Sequence, residues 1–287
     1  MANDHYAIPD PEVLASLRAN GLGKEADQIE QRAGIKLGAI ASVLDQFITT
    51  DEKCKKLKEN VYKLAVHDDA VLIQGDSGTG KELIAQALGK NRKSGRFVAI
   101  NVSAIPKELI ESTLFGYNKG AFTGASADTP GLIQYAEEGT LFLDEVGDLS
   151  YDLQCKFLRV LQDRKVRRVG SNQEEEVKCR IIAATHQDLR TLVMESKFRL
   201  DLYARLSTFV LRIPPLSQRP GDVTAIMATL EPKFPVDKVD WTKVDLSLGV
   251  RALQQYARRW TVLGELPEQY GLTEQQQKLI GTVLASL

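Results

Sequence analysis

Residues 71–82 read Val71-Leu72-Ile73-Gln74-Gly75-Asp76-Ser77-Gly78-Thr79-Gly80-Lys81-Glu82, and this stretch decides the fold. A short apolar run ends in a loop carrying three glycines, after which Leu83, Ile84, Ala87 and Leu88 recur at helical spacing. Strand, glycine loop and helix in that order form the setting a phosphate-binding loop requires. The glycines let successive backbone N–H groups turn inward at a helix N-terminus, and Lys81 adds a point charge for β- and γ-phosphates. Gly75, Asp76, Ser77, Gly78, Thr79, Gly80, Lys81 and Glu82 are therefore the candidate nucleotide loop. Glu82 stands where a Ser or Thr would offer a hydroxyl to Mg²⁺, a departure from the general pattern.

Further along, GTLFLDE (Gly139 to Glu145) is an uninterrupted apolar strand closing on two carboxylates, and a strand buried on both faces belongs to a parallel sheet covered by helices. Adjacent strand positions point to opposite sides, so the two acids cannot do the same job: one can hold a hydrated Mg²⁺ while the other orients the attacking water, with Asp144 assigned to the metal and Glu145 to the water. The bland alternative is two acids that cap the following helix. Phe97 to Ile100 is a second strand ending at Asn101, Arg180 to Ala184 another ending at Thr185 and His186, and Val210 to Arg212 a fifth before Pro214-Pro215. Polar residues at the carboxyl ends of such strands face the crevice where open α/β sheets bind ligands. The expected architecture is a five-stranded parallel α/β sheet between helices, among them Lys107 to Leu114, Leu132 to Ala136 and the amphipathic run Leu153, Phe157, Leu158, Leu161.

Between the loop and the acidic strand lies GYNKGAFTGA, Gly116 to Ala125. Gly116, Gly120 and Gly124 forbid a stable helix and permit positive-φ turns, leaving Phe122 and Thr123 as the sizeable side chains at the tip. A Phe there either meets a partner or folds back into the core under a glycine turn. DRKVRRVGSNQEEEVKCR predicts a two-stranded excursion around Gly170-Ser171-Asn172, with arginines on one arm facing Glu174, Glu175 and Glu176 on the other. In FRLDLYARL, Arg199 and Arg205 are separated by about 600° of helical rotation, so they diverge and suit a neighbouring subunit better than one shared pocket. The bland alternative is an Asp201–Arg205 pair with Arg199 free.

At 287 residues, 43% hydrophobic, the chain can bury a substantial core. Lys and Arg total 37 against 38 Asp and Glu, so no global electrostatic footprint for nucleic acid exists. Cys54, Cys155 and Cys179 share no metal-type spacing and are odd in number, which disfavours disulfides or zinc. The start lacks a basic and apolar leader, and no apolar run approaches membrane-spanning length, so the cytoplasm is the expected compartment. Asp10-Pro11 opens a short helix, Leu37, Ile40, Leu44 and Phe47 mark another, and Leu57, Val61, Leu64 and Ala65 a third whose lysines form a solvated face. Beyond Gln218 the pattern is helical only, ending in GLTEQQQKLIGTVLASL with no room for a helix-turn-helix after it. Residues 1–45 are a helical extension, 46–218 the α/β domain and 219–287 a helical lid.

GDSGTGKE, LFGYNKGAFTGA, GTLFLDEVGDL, RIIAATHQDL and FRLDLYARL, in this order and spacing over about residues 68–222, resemble the AAA+ central domain of bacterial sigma-54-dependent transcription activators, the enhancer-binding proteins. GAFTGA is a signature of that family, which also usually carries Glu at the Glu82 position. The resemblance implies an ATPase ring, usually a hexamer, that remodels sigma-54 RNA polymerase closed complexes. It implies that Lys81 and its loop bind ATP, Asp144 Mg²⁺ and Glu145 the water. It further implies that Asn101 couples Glu145 to the nucleotide state, that Thr185 senses the γ-phosphate with His186 beside it, and that Arg199 and Arg205 act in trans. Phe122 and Thr123 would touch sigma-54, and the excursion near Gly170 matches the second pore loop. Where the family's lid carries WPGNVREL, this chain has WTVLGEL, one residue shorter and with Gly264 in place of the sensor arginine. No receiver domain and no C-terminal DNA-binding domain are expected. The competing expectations are a non-hydrolysing module that binds sigma-54 or activator rings, and a AAA+ ATPase with another remodelling target.

Overall fold

A computed structural model describes residues 37–65, 67–90 and 95–263. The helices expected at Asp10-Pro11 and in the final stretch, and Gly264 itself, lie outside the described residues. The chain forms two compact units, the first built from the segment up to Phe47 with Glu52–Asp76 and Gly80–Ile213, the second from Ile48–Asp51, Ser77–Thr79 and the chain from Pro214 onward.

In the first unit, α1 (Leu37–Leu44) and α2 (Glu52–Leu64) precede β1 (Val71–Gln74) and α3 (Lys81–Gly89). Then come β2 (Phe97–Asn101), α4 (Lys107–Phe115), the short strands β3 (Gly116–Tyr117) and β4 (Thr129–Pro130), α5 (Leu132–Tyr135) and β5 (Thr140–Asp144). The chain continues through α6 (Tyr151–Asp163), β6 (Lys165–Val166), β7 (Glu175–Glu176), β8 (Arg180–Thr185), α7 (Leu189–Met194), α8 (Leu200–Leu206) and β9 (Phe209–Arg212). Five of the strands form one sheet in the order β2-β5-β8-β1-β9, with every neighbouring pair parallel. From β1 the chain passes over two strand positions to β2, returns through β5 and β8, and crosses β1 to reach β9. That reversal opens a crevice at the carboxyl end of β1, where such sheets take their ligands.

The three central strands, β5, β8 and β1, are apolar on both faces because each face is covered. Leu72, Leu141, Leu143, Ile181 and Ala183 point into one core with residues of α4, α6 and α8, whereas Val71, Ile73, Phe142, Ile182 and Ala184 point into the other with α1, α2 and α3. Alternation within an apolar run therefore feeds two cores, each fully buried aliphatic side chain contributing about 1.5–3 kcal/mol. Cys54, Leu57, Val61 and Leu64 are the buried stripe of α2, and Lys53, Lys55 and Lys56 are exposed, as the spacing predicts.

One buried charge stands out. Arg180 opens β8 with no exposed surface and donates to the carbonyls of Leu64 (2.9 Å), Leu88 (3.3 Å) and Asp69 (3.3 Å). Two of these carbonyls lie in the last turns of α2 and α3, where main-chain acceptors have no partner within the helix.

In the second unit, α9 (Pro220–Leu230) and α10 (Val250–Leu263) pack around Val223, Ile226, Met227, Phe234 and Leu253. The Phe234 ring meets Trp260 edge-on at 5.7 Å. Asp222 is fully buried and accepts from Thr50 N (2.5 Å), Thr49 Oγ1 (2.8 Å) and Arg219 Nη1 (3.0 Å). Among the described residues, no helix is long and apolar enough to cross a membrane.

Candidate functional site

The phosphate loop is tied to the sheet at its first residue, where Gly75 N–H donates to the Thr185 carbonyl at 3.3 Å. Gly80 turns into α3 through a left-handed φ of 101°, and a Cβ there would lie 2.8 Å from the Phe47 ring. Only glycine satisfies both conditions. Lys81, the first residue of α3, is 7% exposed; its ammonium donates to the carbonyls of Gly75 (2.9 Å) and Asp76 (3.2 Å) and lies 3.5 Å from Glu145 Oε1. At the loop tip, counted with the second unit, the Gly78 carbonyl accepts from Val250 N–H at 3.0 Å. Glu82 is exposed and accepts from the Gln86 amide at 3.0 Å.

β5 ends at Asp144, in register with Asn101 at the end of β2. Burial pushes the Asp144 carboxyl above its usual range and the Glu145 charge adds to this, while Lys81 opposes it. Glu145 does not continue the strand. It takes φ 57° and ψ 50°, so it diverges from Asp144 through a left-handed turn and not through the strand pleat that the sequence suggests. Such a conformation costs a non-glycine residue about 1–3 kcal/mol and persists where surrounding contacts hold it. Here the holders are Lys81 on Oε1 and His186 on Oε2, the latter through both its main-chain N–H (3.1 Å) and ring Nδ1 (2.7 Å). Thr185 is fully buried and its hydroxyl accepts from Gln187 N–H at 3.0 Å, while Asn101 Oδ1 accepts from Ser103 N–H (2.9 Å) and Oγ (2.6 Å). Lys81, Asp144, Glu145, Thr185 and Asn101 thus gather at the carboxyl edge of the sheet. Among the described residues no cluster of three or more His, Cys, Asp or Glu could cage a metal. A single desolvated carboxylate, Asp144, fits Mg²⁺, which takes most of its ligands from water and phosphate oxygens.

The GYNKGAFTGA segment is a hairpin loop on the β3–β4 pair. Lys119 N–H donates to Asp128 Oδ1 (2.7 Å), Gly120 N–H to the Ala125 carbonyl (2.9 Å) and Ala125 N–H to the Phe122 carbonyl (3.0 Å). Phe122 is 44% exposed, its ring 4.9 Å from that of Tyr117, and Thr123 is exposed. The Phe does not fold into the core. The excursion is the β6–β7 ribbon, and its charges pair across strands as expected: Lys165 with Glu174 (3.0 Å), Arg167 with Glu174 (3.3 Å) and Arg168 with Glu175 (2.8 Å). Its tip abuts the hairpin, a contact no sequence pattern announces. Asn118 N–H donates to the Val169 carbonyl (3.0 Å), Val169 N–H to the Gly116 carbonyl (2.9 Å), and a Cβ on Gly170 would sit 2.8 Å from that of Ala121. A cleft of about 340 Å³ between α6 and this ribbon includes neither Lys81 nor Glu145, and its Lys156, Lys165 and Arg167 are paired with Glu111 and Glu174.

The two arginines are arranged differently from the expectation. Arg199 caps α8 from an extended conformation, outside the helix, so a helical rotation between it and Arg205 does not apply. Its guanidinium pairs with Asp201 (2.7 and 3.0 Å), reaches Cys155 Sγ (3.1 Å) and lies over the Tyr151 ring. Asp201 therefore serves Arg199 and not Arg205, because a cap residue folds its side chain back over the first turn. Arg205 is exposed in the last turn of α8. Among the described residues neither arginine contacts Lys81 or Glu145.

Comparison with known proteins agrees with this geometry. The Sigma-54 interaction domain family matches residues 47–212. The chain is 50% identical over 182 residues to a signal-transduction and transcriptional-control protein of Clostridium beijerinckii, covering 62% of this chain and 29% of that protein. It is 49% identical over 181 residues to the transcriptional regulatory protein GlrR of Escherichia coli (strain K12), covering 62% and 41%. The chain thus spans less than half the length of these curated relatives. NtrX from Brucella abortus, solved in complex with ADP, superposes with a TM-score of 0.68 at 27% identity over 90% of this chain and 59% of that one. The parallel sheet is that of an AAA+ domain, and with more than half of its 287 residues matched this chain belongs to the Sigma-54 interaction domain family.

Proposed function

We propose that this chain is an ATP-hydrolysing activator that remodels sigma-54 RNA polymerase closed complexes, working in the cytoplasm as a ring, a hexamer, with nucleotide at each subunit boundary. The observation that carries the reading is the convergence of a buried Lys81 ammonium with Asp144 and Glu145 at the carboxyl edge of the sheet. Solved NtrX was obtained with ADP and with ATP, which supports the same ligand class here.

In this reading Gly75 to Glu82 cradles the triphosphate through main-chain N–H groups and Lys81 exchanges its two carbonyl partners for phosphate oxygens. Glu145 accepts a proton from water as the water oxygen bonds to the γ-phosphorus; the bond to the β–γ bridging oxygen breaks, and ADP and phosphate leave. Asp144 would hold Mg²⁺, which when bound neutralises charge on the β and γ oxygens. Asn101 and Thr185 couple the state of the phosphate to the sheet edge. Arg199 and Arg205 reach the nucleotide of a neighbouring copy, Arg199 trading Asp201 for phosphate. Phe122 and Thr123 grip sigma-54, and the hairpin moves with the nucleotide state. The first compact unit, which includes α1, is the ATPase domain in this reading, and the helical unit from Pro214 onward is its lid.

The test is phosphate release by the purified chain with ATP and Mg²⁺. Turnover is expected to rise more than proportionally with protein concentration, as ring assembly demands, and to vanish in Lys81→Ala. Release no greater than that of Lys81→Ala would replace this reading with a non-hydrolysing module that binds sigma-54 or activator rings.

A further inference from the structure

Glu145 is the residue on which the proposed hydrolysis turns, yet nothing on its own strand orients it, because it leaves β5 in a left-handed turn. Besides the Lys81 ammonium beside Oε1, what holds its side chain is a residue from the neighbouring strand end. Oε2 accepts from the main-chain N–H of His186 at 3.1 Å and from its ring Nδ1 at 2.7 Å. An ionised carboxylate can only accept, so the short contact requires a proton on Nδ1. In a neutral ring this selects the Nδ1–H tautomer and leaves Nε2 without a proton. His186 is itself firmly carried. It follows the fully buried Thr185 of β8 and precedes Gln187, whose main-chain N–H donates to Thr185 Oγ1 (3.0 Å) and whose amide donates to Asp148 Oδ1 (2.6 Å). The end of β8 thus clasps the turn that follows Glu145 at two points.

We propose that His186 is a positioning residue for Glu145: its ring and main-chain N–H occupy Oε2, turning the carboxylate so that Oε1, beside Lys81, is the oxygen left to take the proton of water. The proposal deepens the hydrolysis reading and its catalytic consequence rests on it. His186 acts through Glu145 alone; among the described residues its polar contacts are to that carboxylate and not to Gly75–Glu82. Loss of the ring leaves one main-chain bond on Oε2 and the Lys81 ammonium 3.5 Å from Oε1, a weaker hold on the carboxylate's orientation. The expected effect falls on kcat while ATP binding is spared.

Two measurements test this. The first needs no turnover: ¹⁵N spectra of the ring nitrogens, recorded at alkaline pH so that the ring is neutral and with the His186 signals assigned by their loss in His186→Asn, are expected to show Nδ1 protonated and Nε2 unprotonated in the unsubstituted chain and a shift toward the Nε2–H form in Glu145→Ala. An Nε2–H ring in the unsubstituted chain, or the same tautomer in both proteins, overturns the clasp. The second is steady-state kinetics. His186→Ala is expected to lower kcat by about tenfold or more, with KM for ATP within about twofold, the scale of losing a second partner that orients a reactive ligand. His186→Asn, which presents an amide N–H near the position of Nδ1, is expected to recover most of that loss. An unchanged kcat in His186→Ala, or His186→Asn no better than His186→Ala, overturns the positioning role. If the unsubstituted chain releases no phosphate, the hydrolysis reading fails, and the tautomer measurement still decides whether His186 holds Glu145.

Discussion

The three glycines of the hairpin look equivalent in the sequence and are not equivalent in the structure, which makes them a sharp test of the loop geometry. Gly116 has φ 75° and ψ 178°, a region open in practice only to glycine, and a Cβ built on it would lie 2.5 Å from Gly131 N, 2.5 Å from Thr129 O and 2.9 Å from Pro130 C. All three obstacles are main-chain atoms and cannot rotate aside. Gly120 has φ 81° and nothing within 4 Å of such a Cβ. Alanine at Gly120 therefore meets only the left-handed cost of about 1–2 kcal/mol, part of which is offset by a less flexible unfolded chain. Alanine at Gly116 meets about 1–3 kcal/mol of backbone strain and must in addition displace β4, which places its total at about 3 kcal/mol or more.

Equilibrium urea unfolding gives the global number, and amide exchange gives the local one. The Val169 N–H, bonded to the Gly116 carbonyl at 2.9 Å, is expected to be protected in the unsubstituted chain and in Gly120→Ala but to exchange fast in Gly116→Ala. Equal midpoints and equal Val169 protection in the two variants would refute the assignment of Gly116 as the pivot of the hairpin.

Arg180→Met removes a charged donor from three buried carbonyls, each such bond being worth about 1.5 kcal/mol or more, partly offset by relief of a buried charge. The net expectation is a loss of about 3 kcal/mol in urea unfolding, and a loss under about 1 kcal/mol would contradict the clamp. Burial raises the Asp222 carboxyl, but donors from Thr50, Thr49 and Arg219 outweigh it and leave its pKa below the ordinary value. A depressed folded pKa gives stability that is present above the unfolded value of about 3.9 and lost as pH falls through the folded one. The stability difference between the unsubstituted chain and Asp222→Asn is thus expected to be flat near neutrality and to shrink below about pH 4; a difference that grows on acidification would contradict the ion pair.

The sequence carried the sheet because every strand of it is a short apolar run ending in glycine, acid or polar residues, a local signal that needs no tertiary information. The same locality explains where the reading of the sequence stopped. Glu145 looked like one more strand position, since nothing in GTLFLDE reports that its last residue turns left-handed under the hold of Lys81 and a histidine 41 positions away. FRLDLYARL reads as one helix carrying both Arg199 and Arg205, but a residue before the first helical turn takes its φ and ψ from the cap and not from the helix. The exposure of Phe122 is left open by the sequence; in the structure its ring stays 44% exposed and packs against the Tyr117 ring, a contact between residues five apart that composition does not report. The seating of the Gly170 turn on Ala121 depends on packing between segments about fifty residues apart, which composition does not encode.

The claim at the centre is that phosphate chemistry beside Lys81 is delivered to a sigma factor through the exposed tip of the hairpin. Capture on immobilised sigma-54 in the presence of Mg²⁺, ADP and a metal fluoride tests it most directly, comparing the unsubstituted chain with Thr123→Ala, a variant expected to release phosphate from ATP at an unaltered rate. The account predicts retention of the first and loss of the second. Equal retention of both, with hydrolysis intact in each, would contradict it and point to a AAA+ ATPase with another target.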